Sequence, residues 1–299
     1  MKKAKRNFFE HAFEYFIVAL MLVYCVSLIL PLVWMLYTTF KTEFEFTLDA
    51  FAFPKHIGEV GFSNYGEMFK LFTMKAIKNG EEYTYNFLHM TGYSLIWATS
   101  TSLINVFFTT LVAYVVAKYK FFGRNFIYAL GIFVMITPIV GNLPSAMLVK
   151  QALGVYNNLW LSILTSPVTV FSGLHFMLMH AAFKRISWTY AEAAFLDGAS
   201  DGRVMFAVML PMVLPTCAVL FVLNFLGAWN DYSTFLIWLP SYPTLAYGMY
   251  YFQSQSEAYG ATLPQVMAGF TIVAIPNILL YFVSQKLIMS KFTVGGLKG

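Results

Sequence analysis

Glu192–Pro211 reads EAAFLDGASDGRVMFAVMLP. The stretch is rich in small and charged residues and lies between two long apolar runs. A polar segment held between membrane spans is confined to one side of a bilayer. Ser187 reads as the N-cap of a helix running through Leu196, and Gly198 as its terminator. A second helix is expected from Ser200-Asp201 to Leu210, ending at Pro211. Two short helices joined at a glycine make a compact knob, and small alanines let another protein approach closely. On these residues alone, an amphipathic connector lying on lipid headgroups fits equally well.

Working outward, composition sets the class. Of 299 residues, 59% are hydrophobic and 11% charged, against about 25% charged in soluble domains. Mean hydropathy is +0.65. The net charge of +5 does not indicate nucleic acid, because the basic residues alternate with apolar runs and do not gather on one face. Cys25 and Cys217 each sit inside an apolar run and read as buried small hydrophobes, with no disulfide framework.

Six uncharged runs are long enough to span: 16–40, 93–117, 125–149, 159–183 (neutral histidines aside), 204–230 and 258–285. Each exceeds the ~20 residues that cross about 30 Å of hydrocarbon as a helix. In lipid the backbone must satisfy itself, so the runs are helical. The segment 232–256 is also uncharged but carries Pro240 and Pro243 and ends in QSQS. It reads as a surface or re-entrant segment. The expected fold is all-α and integral to the membrane, with six transmembrane helices and both termini cytoplasmic.

Charge placement supports that count. Lys2, Lys3, Lys5 and Arg6 precede the first run; Lys118, Lys120 and Arg124 lie between the second and third; Lys184, Arg185 and Arg203 lie in the loop that holds the opening segment; Lys286, Lys291 and Lys298 follow the last. Those positions hold most of the 19 Lys and Arg. The other side has Lys150 and five residues of one long loop (Lys41, Lys55, Lys70, Lys75, Lys78), where charge weighs less. The positive-inside rule therefore puts the termini and the Glu192 segment in the cytoplasm.

The basic start and first run resemble a signal peptide, but the run is longer than the 7–15 residues of a signal core and no A-x-A site follows. It reads as an uncleaved first span. The organisation is a single transmembrane domain over 1–299. It comprises a cytoplasmic N-terminus at 1–15, an extracytoplasmic loop at 41–92, a core at 93–299 and a cytoplasmic loop at 184–211. The 41–92 loop is expected to form one or two small surface helices that contact a partner outside.

Within the third run, Pro138, Gly141, Asn142 and Pro144 fall in seven residues. Such a cluster marks a hinge or a pathway lining. Polar residues inside runs are few: Asn105, Asn142, Asn224, Asn230, Asp231, Asn277, His175 and His180. They are candidates for a substrate path, or for interhelical hydrogen bonds. Trp229-Asn230-Asp231 joins an aromatic face, an amide and a carboxylate, which suits a sugar; an outer-interface position suits the same residues. Tyr247, Tyr250 and Tyr251 carry the same ambiguity between aromatic belt and ligand contact.

No catalytic constellation emerges. His175 and His180 are five apart and do not share a helix face, no two carboxylates converge within the runs, and no GxxxxGK[ST] loop exists. Work against a gradient would need an external motor or an ion.

The opening segment resembles the EAA-x3-G-x9-I-x-LP loop of permease subunits in binding-protein-dependent ABC importers. Glu192, Ala193, Ala194, Gly198, Leu210 and Pro211 match in register, and Val208 replaces the pattern's Ile. The DGAS at Asp197–Ser200, the Ala228–Asp231 stretch and the terminal TVGGLKG resemble the carbohydrate-uptake branch, in particular the smaller maltose-type permease. The resemblance runs over about 93–299; the long first loop departs from it.

That resemblance implies a heterodimer with a second homologous permease, a cytoplasmic ABC ATPase dimer and an extracytoplasmic sugar-binding protein, in a bacterial or archaeal cytoplasmic membrane. ATP and magnesium would belong to the ATPase, with no cofactor or metal on this chain. Glu192, Ala193, Ala194, Asp197, Gly198, Ala199 and Ser200 would carry coupling; Trp229, Asn230, Asp231, Asn142 and Asn224 would line a substrate pathway; Pro138, Gly141 and Pro144 would form a gate or hinge. The alternative is an ion-coupled secondary transporter or channel acting without an ATPase, and copurification of partners discriminates the two.

Overall fold

A computed structural model of the chain describes residues 8–78, 80–137, 141–166 and 173–292. Among the described residues, four helical stretches are long and apolar enough to cross a membrane: Ala12–Thr38, Phe87–Lys118, Asp201–Trp229 and Leu263–Gln285. The chain divides into two compact units, residues 1–72 with 252–272, and residues 73–251 with 273–299.

The first unit opens with α1 (Phe8–Thr38), exposed along 15–33. Cys25 lies on that surface and is exposed, contrary to the expectation of burial; Cys217 is buried. The cause is that α1 presents its apolar side chains outward instead of packing them on a core. After it come α2 (Glu43–Leu48), α3 (Ile57–Val60) and α4 (Ser63–Leu71). Thr42 and Glu45 form a reciprocal capping box at the start of α2. Lys41 is only 1% exposed and donates to the carbonyls of Asp49 (3.0 Å) and Ala50 (2.9 Å). Asn64 Nδ2 donates to the carbonyls of Thr39 and Lys41, tying α4 to the end of α1.

The second unit begins with a feature the sequence reading missed. Strands β1 (Thr73–Lys78) and β2 (Glu81–Asn86) pair antiparallel, with Thr73 opposite Asn86 and Lys78 opposite Glu81. The 41–92 loop is therefore more than small helices. The Asn79-Gly80 pair, a strong hairpin signal, stood in the sequence, and Gly80 takes φ +87°. Lys75 meets Glu82 across the ladder at 3.3 Å.

Helix α5 (Phe87–Lys118) is the spine of this unit, capped by the Asn86 side chain. The third run is two helices, α6 (Arg124–Ile136) and α7 (Leu143–Ala152), neither long enough to span alone. Thr137 is extended, Gly141 is left-handed at φ +78°, and Pro144 sits in the first turn of α7 where its missing N–H costs nothing. Pro138 lies outside the described residues. The fourth run holds α8 (Leu159–Leu164) and α9 (Gly173–Arg185).

Helix α10 (Thr189–Leu196) and the one-turn α11 (Asp201–Arg203) follow. A π turn at Val204–Met209 then runs directly into α12 (Leu210–Trp229). The expected stop at Pro211 does not occur. Leu210 N–H donates to Met205 O, five residues back, and this wider turn takes the proline into the helix without the usual i−4 clash. Ala113 and Tyr114 of α5, Phe176, Met179 and Phe183 of α9, and Met209, Val213 and Leu220 form one buried cluster.

The proline-bearing 232–256 segment holds two short helices, α13 (Ser233–Trp238) and α14 (Leu245–Ser254), neither long enough to span. Asn157 N–H donates to Trp238 O, and its side chain exchanges two hydrogen bonds with Ser241. Helix α15 (Leu263–Phe292) closes the described chain and belongs to both units.

Candidate functional site

The Glu192 segment is built on one helix end. Ser187 is not the N-cap of α10; Trp188 occupies that position without a side-chain bond. Ser187 Oγ instead accepts from Thr189 N–H at 3.3 Å, which shapes the turn one residue earlier. The C-terminus is as expected. Gly198 adopts φ +80°, its N–H donates to Phe195 O, and Ala199 N–H donates to Ala194 O. That pair of bonds is a Schellman closure, which needs a left-handed residue where glycine stands.

The eight residues of α10 divide cleanly by face. Ala191 is fully buried, and Ala194, Phe195 and Ala199 pack against the cluster of α5, α9 and the π turn. Glu192, Ala193, Leu196 and Asp197 are exposed together, spaced i, i+1, i+4 and i+5. Leu196 is 89% exposed, a large apolar side chain standing free at the crest of the knob. The sequence reading did not single it out. Its signal was the position four residues after Glu192 on the same face.

The segment is also fastened to the end of α5. Lys118 Nζ donates to Ile186 O, and the Tyr119 ring meets the Trp188 ring edge-on at 5.6 Å. The residues that lead into α10 are therefore in direct contact with the end of α5.

A polar cavity of about 340 Å³ lies among α5, α9 and α12. Thr101 and Asn105 of α5, Ser166, His175 of α9, Asn224 of α12 and Asp231 line it, with Trp97 at one wall. Asn105 Nδ2 donates to Thr101 O and Asn224 Nδ2 to Leu220 O, each one turn back. Their amide oxygens have no partner among the described residues. Asp231 Oδ1 accepts from Ser233 Oγ and from Thr234 N–H in the first turn of α13.

Of the expected pathway residues, Asn224 and Asp231 meet in this cavity, because seven residues are two helical turns. The others stand elsewhere. Trp229 is 1% exposed, stacks on Phe225 at 5.8 Å and donates from Nε1 to Val273 O, so its ring serves packing. Asn230 Oδ1 accepts from Asn277 Nδ2 at 2.9 Å. Asn142 is exposed at the start of α7. His175 lines the cavity while His180 lies against Tyr128, ring centroids 4.7 Å apart. Asn105 and His175, candidates among the polar residues of the runs, also line it, and Thr101 and Ser166 join the set only through the fold. Among the described residues no cluster of His, Cys, Asp or Glu could hold a metal.

The family described as "Binding-protein-dependent transport system inner membrane component" matches residues 106–294, a stretch that takes in the whole knob and most of the cavity. The chain belongs to this family. It is a non-catalytic permease subunit of an ABC importer. The permease is 28% identical over 296 residues to the galactooligosaccharides transport system permease protein GanQ of Bacillus subtilis, covering 98% of each chain. It is 28% identical over 290 residues to the diacetylchitobiose uptake system permease protein NgcG of Streptomyces coelicolor, covering 93% of this chain and 86% of that one. Its fold matches a chain in the crystal structure of a bacterial ABC transporter involved in import of the acidic polysaccharide alginate. The TM-score is 0.75 at 20% identity, over 95% of this chain and 99% of that chain.

Proposed function

We propose that the permease forms half of the translocation pathway of an ATP-driven sugar or oligosaccharide importer and receives the power stroke on the exposed face of α10. The observation that carries this reading is the two-sided α10: Glu192, Ala193, Leu196 and Asp197 face outward while Ala191, Ala194 and Phe195 pack on the core. A helix so placed can dock into a partner and still move its own spans. Glu192 pairs with a basic residue of the ATPase, Leu196 fills an apolar socket, and Gly198 sets the bend. Ser200 and Asp201 begin the helix that carries the motion into α12.

The carbohydrate class rests on the names of GanQ and NgcG and on the alginate importer. The cavity at Asn105, Asn224 and Asp231 suits hydroxyl-rich cargo, because amide oxygens and a carboxylate accept from sugar O–H groups. Around this chain we place a second homologous permease, two ATPase domains that bind ATP and magnesium, and an extracytoplasmic sugar-binding protein. Its own topology is a single domain of six spans with cytoplasmic termini, the third interrupted at Gly141–Pro144 to act as a hinge. The segment 41–92 lies outside.

Gly198→Asp tests the coupling role. The variant should insert and assemble, yet lose sugar uptake and binding-protein stimulation of ATP hydrolysis. Normal uptake by Gly198→Asp would refute the coupling assignment. Uptake by this chain without any ATPase would favour the ion-coupled alternative.

A further inference from the structure

The turn joining α5 to α6 has no part in the coupling knob or the polar cavity. Lys120, Phe121, Gly123, Arg124, Asn125 and Phe126 line a separate cavity of about 270 Å³. Gly123 takes φ +86° and reverses the chain so that both cations border the same space. Arg124 Nη1 donates to Tyr119 O at 3.4 Å, which holds the guanidinium over the turn. Among the described residues neither Lys120 nor Arg124 has a carboxylate partner.

Beside these cations stand bare aromatic rings. Phe122 is 105% exposed and Phe126 is 70% exposed. Unpaired cations next to uncovered rings suit the boundary where acyl chains meet headgroups. The turn is at that boundary by construction, because α5 is long enough to span and ends at Lys118. α6 also starts without a side-chain cap, so the N–H groups of Asn125 and Phe126 add donors beside the two cations.

We propose that the Lys120–Phe126 turn binds the phosphate headgroup of an anionic phospholipid, with Phe122 and Phe126 inserted among its acyl chains. Charge selects this occupant. A zwitterionic lipid would cover the rings but leave two cations unneutralised. The turn lies at the same end of α5 as the coupling segment, so a lipid held there would steady the end of α5 against which α10 is braced.

The test uses the full chain assembled with its partner subunits. Native mass spectra are recorded during titration with phosphatidylglycerol or with phosphatidylcholine. The wild type should retain phosphatidylglycerol in preference, and Lys120→Gln/Arg124→Gln should weaken that retention about 30-fold, at ~1 kcal/mol per cation. Lys70→Gln, a charge change in the outer loop, should leave it unaltered. Lys120→Arg/Arg124→Lys should bind as the wild type does. Equal retention by wild type and double glutamine variant overturns the proposal. So does complete displacement of the lipid by inorganic phosphate, or a double variant that keeps its lipid but loses the ATPase, which would make the turn a protein contact. Loss of lipid in the charge-conserving variant overturns it too, since the fold of the turn and not its charge would then be responsible.

Discussion

The hydroxyl of Tyr119 donates a 2.7 Å hydrogen bond to Oδ1 of Asp201, joining the residue that ends α5 to the residue that begins the helix into α12. The same ring touches Trp188 at the entrance to α10 and Tyr114 one turn back in α5. Tyr119 therefore braces both ends of the Glu192 segment. Removing the hydroxyl should cost about 1 kcal/mol of local stability at this partly exposed site. Tyr119→Phe should lower uptake and stimulated ATP hydrolysis together while assembly is unchanged. If the two activities separate, the brace does not transmit the stroke.

The pH dependence of that bond has a definite sign. Burial first, then hydrogen bonds with Tyr114 and Asp201, push the Tyr119 hydroxyl above its ordinary value of 10.0. A raised folded value means that the stabilisation is complete below the unfolded value of about 10 and is lost as pH rises through the folded one. Ultraviolet titration of tyrosinate, wild type minus Tyr119→Phe, should show this group ionising later than an ordinary tyrosine. Ionisation near pH 10 would contradict the hydrogen-bonded geometry.

Leu196 carries a prediction that separates docking from folding. It is 89% exposed, so Leu196→Ala should leave insertion and thermal stability of the permease as they are. Losing a leucine from a partner's socket costs about 1.5–3 kcal/mol, so affinity for the ATPase should fall about 10- to 150-fold. Leu196→Glu should weaken assembly further. Titration of purified ATPase onto membranes containing each variant reads the effect directly.

Asp231 both accepts from Thr234 N–H in the first turn of α13 and lines the polar cavity, and two substitutions distinguish these tasks. Asp231→Asn keeps an acceptor for Thr234 N–H but removes the charge. Asp231→Ala loses that hydrogen bond as well, at about 1 kcal/mol. Asp231→Asn should express normally and raise KM for uptake, and Asn224→Leu should do the same from α12. Unchanged uptake kinetics in both variants would exclude the cavity from the cargo path.

Lys41 holds the first unit together from inside. Burial lowers its pKa, an effect opposed by the charges of Asp49 and Glu45. Lys41→Met would remove the donor to Asp49 O and one of two donors to Ala50 O, which keeps Trp34 Nε1–H, at about 1 kcal/mol per bond lost. Proteolysis should then cut the 42–56 segment faster than in the wild type, with α5–α12 protected as before.

The sequence by itself determined the membrane class, the apolar runs, the register of the Glu192 segment and the glycine that ends α10. Each is a local property: hydrocarbon demands length and apolarity, and a left-handed turn demands glycine whatever surrounds it. The hairpin was also legible, in Asn79-Gly80, though its flanking strands lack strong apolar alternation. Tertiary structure decided what depends on neighbours. Trp229 and Asp231 are two residues apart, yet one packs on Phe225 while the other borders a cavity shared with Asn105, because α12 ends at Trp229 and the chain turns before Asp231. Pro211 continues a helix because the preceding π turn accommodates it, and Lys41 is buried because the loop folds back over it. The exposed face of α10 exists only because Ala191 and Phe195 find a core to bury themselves in. Composition and spacing report what a residue can do, and packing selects which of those things it does.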